Sequence, residues 1–164
     1  EVEQIIEASC VEHEVDVVLS KNGETTYVEA KFHNTAGFKT DLKTVLYVQA
    51  RIEDIGGGKG LVVTNTKFTS KAIQYATCKG LELLGWDYPQ HGTLHERIDK
   101  VGLYPITALT SLSAREKVAL LSERIVLCNA LPDASEALKR AGVSGKKADV
   151  VLEEVGALCL PQKA

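Results

Sequence analysis

The chain has 164 residues, of which 45% are apolar and 25% are charged, and its formal net charge is −3. This composition predicts one ordinary folded core, or one core with an appendage, and it excludes a disordered chain. We expect no membrane span and no secretion signal, because neither a long apolar run nor the pattern of a signal peptide is visible in the sequence. Because no Met occurs, we expect the chain to be an excised fragment.

A helical face and a β-branched run can both be drawn through residues 1–13, and we prefer the strand. Alternate residues of a strand share a face, so Glu12, Glu14 and Asp16 would point one way and His13 the other. Glu14 is then either a spare carboxylate beside Asp16 or an exposed strand charge. His13 is interpreted as a structural or surface histidine.

Residues 14–33 predict a β-hairpin, because two runs rich in Val, Leu and Tyr flank an Asn-Gly pair at 22–23. On the second strand, Glu29 and Lys31 are two residues apart and therefore point the same way. If Asp16 on the first strand faces the same side, two carboxylates and an ammonium group converge. The pattern predicts a metal-and-lysine site.

The residue types at this site suit phosphodiester cleavage. Mg²⁺ prefers oxygen ligands, usually one or two carboxylates completed by water and substrate phosphate. Asp16 and Glu29 would supply the carboxylates, and the carbonyl of Ala30 would add a third oxygen. Lys31 would orient or deprotonate the attacking water, or stabilise charge on the phosphate. The alternative is a solvated hairpin face with a weak exposed ion pair.

A long helix capped by Thr40 or Asp41 is predicted after the hairpin and a Gly-containing loop. Its predicted inward face consists of Leu42, Val45, Leu46, Gln49 and Ile52. Gln49 interrupts this face with an amide that either needs a partner or reaches water. Tyr47 and Arg51, at positions i and i+4, are predicted to stack as a cation on a ring, or to contact phosphate.

Three glycines at 56–58 predict a turn that ends this helix, since no Lys-Ser/Thr follows to complete a phosphate loop. A buried strand over residues 61–64 comes next, and a polar loop follows it. A second helix is predicted from a cap at Thr69 or Ser70, and then a strand over residues 81–86. Strands and helices therefore alternate in this part of the chain.

From residue 92 onwards the pattern becomes helical, with Pro and Gly residues separating the stretches. The predicted helices lie near Thr93–Val101, Ser113–Asn129, Ser135–Ala141 and Lys146–Leu158. Residues 141–147 weakly resemble the phosphate-binding turn of a helix-hairpin-helix, but a single copy is more typical of an ordinary helix connection. We predict two parts, residues 1–91 and a small helical region over 92–164.

Four cysteines, Cys10, Cys78, Cys128 and Cys159, stand far apart without a Cys-x-x-Cys pair. This spacing argues against both a zinc knuckle and a disulfide framework. We predict reduced thiols that are mostly packed, and a cytoplasmic location.

Cationic residues outnumber acidic ones by eight to three between residues 31 and 79, although the whole chain is acidic. The local sign of charge matters more than the total for contact with phosphate. Lys39, Lys43, Arg51 and Lys67 are therefore candidate contacts to a nucleic-acid backbone, or they are ordinary surface charges.

The order of elements resembles the restriction-endonuclease-like fold of the PD-(D/E)XK nucleases. A strand with Asp16 and a strand with Glu29 and Lys31 are followed by helix, strand, helix and strand. The likeness is greatest to the Mrr-type restriction endonucleases and the related Holliday-junction resolvases. It covers about residues 10–90, and the segments that carry it are 13–18, 28–33, 46–51 and 60–69.

This resemblance implies an α/β fold, a mixed β-sheet flanked by helices, with the C-terminal helices as an appendage. It also implies metal ligation by Asp16 and Glu29, catalysis by Lys31 and an accessory role for Gln49. The chain departs from the family in two ways. The usual Pro before the Asp is absent, which the family tolerates, and the family's opening helix has no match before the first strand.

The expected function is that of a DNA endonuclease dependent on Mg²⁺ or Mn²⁺. A homodimer is expected, because cutting both strands of a duplex calls for two sites. Relatives with this pattern can carry an ATP-cone domain upstream, which would imply control by nucleotide. The main alternative is a DNA-binding or regulatory module that keeps the fold but does not cut, and a weaker one is a protein-docking domain built around the helical tail.

Overall fold

The structure, a computed structural model, describes residues 1–35 and 37–159, and the chain divides into two compact units. The first unit spans Glu1–His95 and the second begins at Glu96, whereas the sequence predicts the division after residue 91. The strands are β1 (Val2–Ile6), β2 (His13–Lys21), β3 (Glu24–Lys31), β4 (Lys39–Thr40), β5 (Lys59–Thr64), β6 (Lys67–Phe68) and β7 (Glu82–Leu84). The helices are α1 (Leu42–Ile55), α2 (Ser70–Lys79), α3 (Leu94–Val101), α4 (Ala114–Ser122), α5 (Ser135–Arg140) and α6 (Lys146–Leu158), with 3₁₀ turns at Ile106–Ala108 and Cys128–Asp133.

A five-stranded mixed sheet in the order β1-β2-β3-β5-β7 forms the framework of the first unit. The first three strands pair antiparallel, while β3, β5 and β7 pair parallel. A separate parallel pair joins β4 and β6. The strand predicted within residues 1–13 is present as β1, but it ends at Ile6 and does not continue into β2. The alternation of strands and helices after the hairpin is confirmed.

The hairpin between β2 and β3 has the two-residue turn that its sequence predicts. Lys21 pairs with Glu24, and the two residues between them have left-handed backbone, with φ of 52° at Asn22 and 81° at Gly23. Such a turn matches the twist of the flanking strands, and Asn-Gly adopts it at little cost. The turn therefore sets the register of the strands that carry the candidate site.

Both helices of the first unit begin at residues that the sequence predicts as caps. The Asp41 side chain accepts a hydrogen bond from the backbone N–H of Thr44 at 3.3 Å, and Thr69 does the same for Ala72 at 3.3 Å. Gly56, with φ of 96°, ends α1 in the left-handed conformation that favours glycine. These local signals fix where α1 and α2 begin and where α1 ends.

The core of the first unit lies where α1 and α2 pack on the sheet. Its buried members are Val45, Val48, Ile52, Val62, Phe68, Ala72, Ala76, Leu81 and Leu83. The predicted inward face of α1 was wrong in part, because Leu46 is 43% exposed while Val48 and Arg51 are buried. Val45 and Ile52 belong to either arrangement, so the apolar spacing alone does not decide which side of the helix meets the sheet.

The second unit is helical and has its own core. The buried members of this core are Ile106, Leu109, Leu112, Leu120, Cys128, Leu131, Ala137, Leu138, Val143, Val151, Val155 and Cys159. The helix predicted over Ser113–Asn129 is shorter than expected, because α4 ends at Ser122 and Arg124 has a φ of 61°. Within the described residues, no helix combines the length and apolar character needed to cross a membrane.

The prediction that all four thiols are reduced and mostly packed was wrong. Cys128 and Cys159 form a disulfide across 31 residues of sequence, with their Cα atoms 5.9 Å apart, and both are fully buried. Cys10 and Cys78 are free but exposed. The spacing of cysteines along the chain does not reveal this bond, because the end of α6 meets the second 3₁₀ turn only in the folded unit.

Gly60 on β5 offers a test of core packing in the first unit. A Cβ atom at this position would overlap the side-chain ends of Ile52 and Leu81, both of which are buried. We expect Gly60→Ala to lower the free energy of unfolding by about 1–3 kcal/mol, measured by urea denaturation. Gly156→Ala is the control, since it adds the same methyl group to α6 where nothing lies within 4 Å; it should be neutral or stabilising by up to about 1 kcal/mol. A neutral Gly60→Ala would contradict the packing described.

Two carboxylates of the second unit hold their charge unusually strongly. Burial alone would raise the pKa of Glu154, but hydrogen bonds from Ser111 and Thr110 outweigh burial and lower the pKa to about 2. Hydrogen bonds from Lys147 and Ser113 lower the pKa of Glu116 to about 2 as well. Each folded pKa lies below the ordinary value of 4.5, so the stabilisation is complete above that value and is lost as the pH falls towards 2.

Acid should therefore destabilise the second unit between pH 4.5 and 2. In Glu154→Gln we expect a loss of about 2 kcal/mol at pH 7 and a flatter pH dependence, because a charge-assisted set of hydrogen bonds is weakened. The measurement is urea unfolding followed by circular dichroism at pH 7, 4.5 and 3. Glu153→Gln, an exposed neighbour, serves as the control and should match the unmodified chain. Identical pH profiles for all three proteins would contradict the assignment.

Candidate active site

Asp16 and Glu29 lie opposite each other where the pairing of β2 with β3 ends. The register between these strands runs as far as Val17 and Val28, and the next facing residues are Asp16 and Glu29. There the backbone N–H of Ala30 donates to Asp16 Oδ2 at 2.7 Å, so a side chain replaces a strand partner. This contact holds the Asp16 carboxylate beside β3, as the predicted convergence requires.

Glu29 is a buried carboxylate, 4% exposed, with a cation at each oxygen. Lys31 contacts Glu29 Oε1, and Arg51 Nη1 donates to Oε2 at 2.5 Å. An ionised carboxylate is costly to bury unless it is paired and hydrogen-bonded, and these two cations meet that requirement. Because the Lys31 side chain is 40% exposed, it lies between the buried Glu29 and the solvent.

Arg51 is a buried residue of α1 and contacts Glu29 from the protein interior. The residue is 6% exposed, its Nη2 donates to the Tyr47 hydroxyl at 2.8 Å, and its Cζ lies 4.6 Å from the centre of the Tyr47 ring. The predicted stacking of Tyr47 and Arg51 is confirmed. Burial acts to lower the pKa of Arg51, but the hydrogen bond to Tyr47 and the attraction of Glu29 outweigh it and raise the pKa, so the group stays charged.

An open polar cleft of about 320 Å³ contains all these groups. Its lining residues are Glu12, His13, Glu14, Asp16, Glu29, Lys31, Tyr47 and Arg51. Glu14 therefore reaches the same cleft as Asp16, as alternation along β2 predicts, and Glu12 lines the cleft from the segment just before β2. The cleft brings together acidic and cationic side chains from the hairpin and α1.

Asp54, near the end of α1, anchors the segment that leads into β2. Its carboxylate accepts hydrogen bonds from the backbone N–H groups of Cys10 at 2.9 Å and Val11 at 3.4 Å, and lies 2.8 Å from His13 Nε2. Hydrogen bonds from the Cys10 and His13 side chains lower the pKa of Asp54. The expected structural role of His13 agrees with this contact, whereas sequence reasoning missed Asp54.

Several predicted site residues lie outside this cleft. Gln49 does not line it, and its amide donates to Glu53 at 2.7 Å on α1. Lys43 is exposed on the same helix, while Lys39 and Lys67 line a different cavity. Arg51, predicted as a surface contact to a nucleic-acid backbone, is instead buried against Glu29. Arg51 lies three residues after Val48 and on the same side of α1, but the predicted inward face included neither residue, so no signal in the sequence indicated this direction.

The donor set suits a hard cation in its chemistry but is small. Among residues 1–35 and 37–159, no group of three or more His, Cys, Asp or Glu side chains is arranged to hold a metal ion. Asp16 and Glu29 supply carboxylate oxygens, the type that Mg²⁺ prefers. Asp16 Oδ2 accepts from Ala30, and both oxygens of Glu29 contact cations. Asp16 is therefore the better placed of the two for a metal ligand.

Two family models match this chain. A family model described as restriction endonuclease, the Mrr catalytic domain, matches residues 4–87, and one described as AF1548-like, C-terminal, matches residues 104–159. An uncharacterized protein of Archaeoglobus fulgidus is 38% identical over 154 residues, which cover 92% of this chain and 87% of that protein.

Two solved structures are similar to this chain over different lengths. The crystal structure of a protein of unknown function, AF1548, has a TM-score of 0.77 and 36% identity, over 97% of this chain and 88% of that one. A repair endonuclease from Pyrococcus abyssi has a TM-score of 0.40 and 24% identity, over 51% of this chain and 35% of that one, which is too low to bear on function.

The chain therefore belongs to the restriction endonuclease family, and the predicted fold is confirmed. It carries that domain in its first unit and an AF1548-like region in its second. Membership of this family supports a nuclease-type function.

The buried pair of Arg51 and Glu29 can be tested through stability. Arg51→Ala removes the buried cation of Glu29 and leaves only the partly exposed Lys31 to balance its charge, so we expect a loss of about 3 kcal/mol in the free energy of unfolding, measured in urea. Lys43→Ala, an exposed residue of the same helix, is the control and should change stability by less than about 0.5 kcal/mol. If both variants unfold at the same urea concentration, Arg51 does not carry the charge balance described here.

Proposed function

We propose that this protein is a metal-dependent DNA endonuclease that hydrolyses phosphodiester bonds. The observation that carries the proposal is the meeting of Asp16, Glu29 and Lys31 in one open cleft. These residues come from two adjacent strands, and they combine acidic oxygens with a partly exposed ammonium group. That combination suits a phosphodiester and an attacking water.

The proposal gives each side chain a distinct task. Lys31 would orient the water or stabilise the negative charge that develops on the phosphate, because its ammonium group lies at the exposed edge of the site. The N–H of Ala30 holds Asp16 in position, and Arg51 balances Glu29 from the protein interior. Each contact limits the motion of a site residue, and a fixed geometry favours the transition state.

Asp16 and Glu29 would hold Mg²⁺ or Mn²⁺, and the carbonyl of Ala30 remains the third predicted oxygen. The chemistry that such an ion supplies when bound is a water of lowered pKa and a polarised phosphoryl oxygen. Competition with Lys31 for Glu29 should weaken the affinity of the site for the ion, since both bind the same carboxylate.

DNA is the proposed substrate, with Lys39, Lys43 and Lys67 as backbone contacts outside the cleft. All three are exposed, and exposed cations attract a phosphate backbone. Gln49 stays a predicted accessory residue. A homodimer that cuts both strands, an ATP-cone domain upstream and a cytoplasmic location also stay predictions.

A binding or regulatory module that does not cut is the second candidate function. Both oxygens of Glu29 contact cations, an arrangement that balances charge without any metal. Such a site would keep the fold and the affinity for DNA while lacking hydrolysis. Cleavage and retention must therefore be measured separately.

The test is cleavage of plasmid and of a four-way junction in Mg²⁺ or Mn²⁺, with a chelator control. We expect Lys31→Ala and Asp16→Asn to cut at least about 100-fold more slowly, as removal of a group that stabilises transition-state charge does elsewhere. Lys21→Ala, at the exposed far end of the same hairpin, is the matched control and should cut normally. DNA retention without cutting by any variant supports the module, and equal cutting by all of them indicates a contaminating nuclease.

A further inference from the structure

A second cavity, of about 460 Å³, lies in the first unit and shares no lining residue with the cleft. It is lined by Gly37, Phe38, Lys39, Asn65, Thr66, Lys67, Trp86 and Asp87. Two aromatic rings and two lysines therefore line one cavity. The lining of this cavity is less polar than that of the cleft, and its rings and lysines suit a ligand that is both flat and anionic.

The aromatic side chains are held in place by neighbouring rings. Trp86 stacks on His95, with ring centres 4.8 Å apart and planes 21° apart. Phe38 packs on His33 at 4.1 Å, yet 50% of its surface stays exposed. A large apolar side chain that remains half exposed beside a cavity is available to a stacking partner.

The two lysines of this cavity place like charges on neighbouring strands. Lys39 and Lys67 are direct partners across the parallel pair of β4 and β6, and both are exposed. Like charges directly opposite each other on neighbouring strands are destabilising. Asp87, with an oxygen 3.8 Å from Lys67 Nζ, offsets one of the two charges. One positive charge remains at the rim, which suits a single phosphate.

The cavity is connected to the cleft through β3 and β5. Lys31 at the end of β3 pairs with Thr64 at the end of β5, and the chain continues from them to His33 and Asn65. The Asn65 amide bonds the His33 backbone in both directions, accepting from its N–H at 2.8 Å and donating to its carbonyl at 2.9 Å. The wall of the cavity is thus fixed to the strand that carries Lys31.

We infer that this cavity binds an unpaired nucleobase of a nucleic-acid strand, with the adjoining phosphate on Lys39 and Lys67. The base would stack on Phe38 and Trp86, since every base offers a flat face to an aromatic side chain. This inference rests on the proposed function only in taking nucleic acid as the ligand, because it requires no hydrolysis. The strand would reach the cleft from a single-stranded region, an end or an opened duplex.

Trp86 is the only tryptophan of the chain, so its fluorescence reports on this cavity directly. The experiment titrates the full chain, in chelator, with a single-stranded oligonucleotide and with the fully paired duplex of the same sequence. We expect the single strand to quench Trp86 and to bind at least 10-fold more tightly than the duplex. Chelator prevents metal-dependent cutting, so binding is measured whether or not the protein cuts DNA. A failure to bind the single strand therefore counts against this cavity and not against the proposed hydrolysis.

Two variants locate the base and the phosphate. Phe38→Ala should weaken single-strand binding by about 10-fold, in line with the loss of one stacking contact, and Lys67→Ala should weaken it with a reduced salt dependence. Lys71→Ala, an exposed lysine of α2 outside both cavities, is the matched control. Equal quenching by single strand and duplex, no quenching, or an unchanged single-strand affinity in Phe38→Ala would overturn the inference.

Discussion

The buried ion pair between Arg51 and Glu29 is the interaction on which the candidate site depends. Glu29 is removed from water, so its charge must be balanced inside the protein, and Arg51 does this from α1 while Lys31 does it from the strand. A buried pair of this kind gives little net stability but is costly to break. The buried Nε of Arg51 has no hydrogen-bond partner among the described residues, so its burial is incompletely compensated. Stability alone therefore does not account for its presence.

The end of the β2–β3 ladder gives this ion pair its setting. While two strands remain paired, their backbone groups satisfy each other and leave little room for a ligand. Beyond Val17 and Val28 the Asp16 carboxylate, and not a backbone carbonyl, accepts the hydrogen bond from β3. The acidic side chains of both strands face one cleft there. Asp54 fixes the chain on the other side of this point by binding the segment before β2. The site is thus held by side chains from both flanking elements and depends on no long loop.

Local sequence signals predicted the elements of the first unit well. The Asn-Gly pair predicted the hairpin turn, Asp41 and Thr69 predicted the helix caps, and alternation put Glu29 and Lys31 on one face. The orientation of α1 was harder, because two overlapping apolar stripes share Val45 and Ile52. In the folded protein Arg51, predicted as a surface contact, lies in the site, and Gln49 bonds to Glu53 instead.

The sequence by itself determined the hairpin, the order of strands and helices, and the three residues proposed for chemistry. Those features depend on turn preference and on the alternation of neighbouring side chains, which act over a few residues. Only the tertiary structure decided that Arg51 meets Glu29, 22 residues away, that Asp54 holds His13, and that Cys128 bonds to Cys159. Contacts between distant segments follow from how whole faces pack, and packing is a property of shape that no short stretch of sequence encodes.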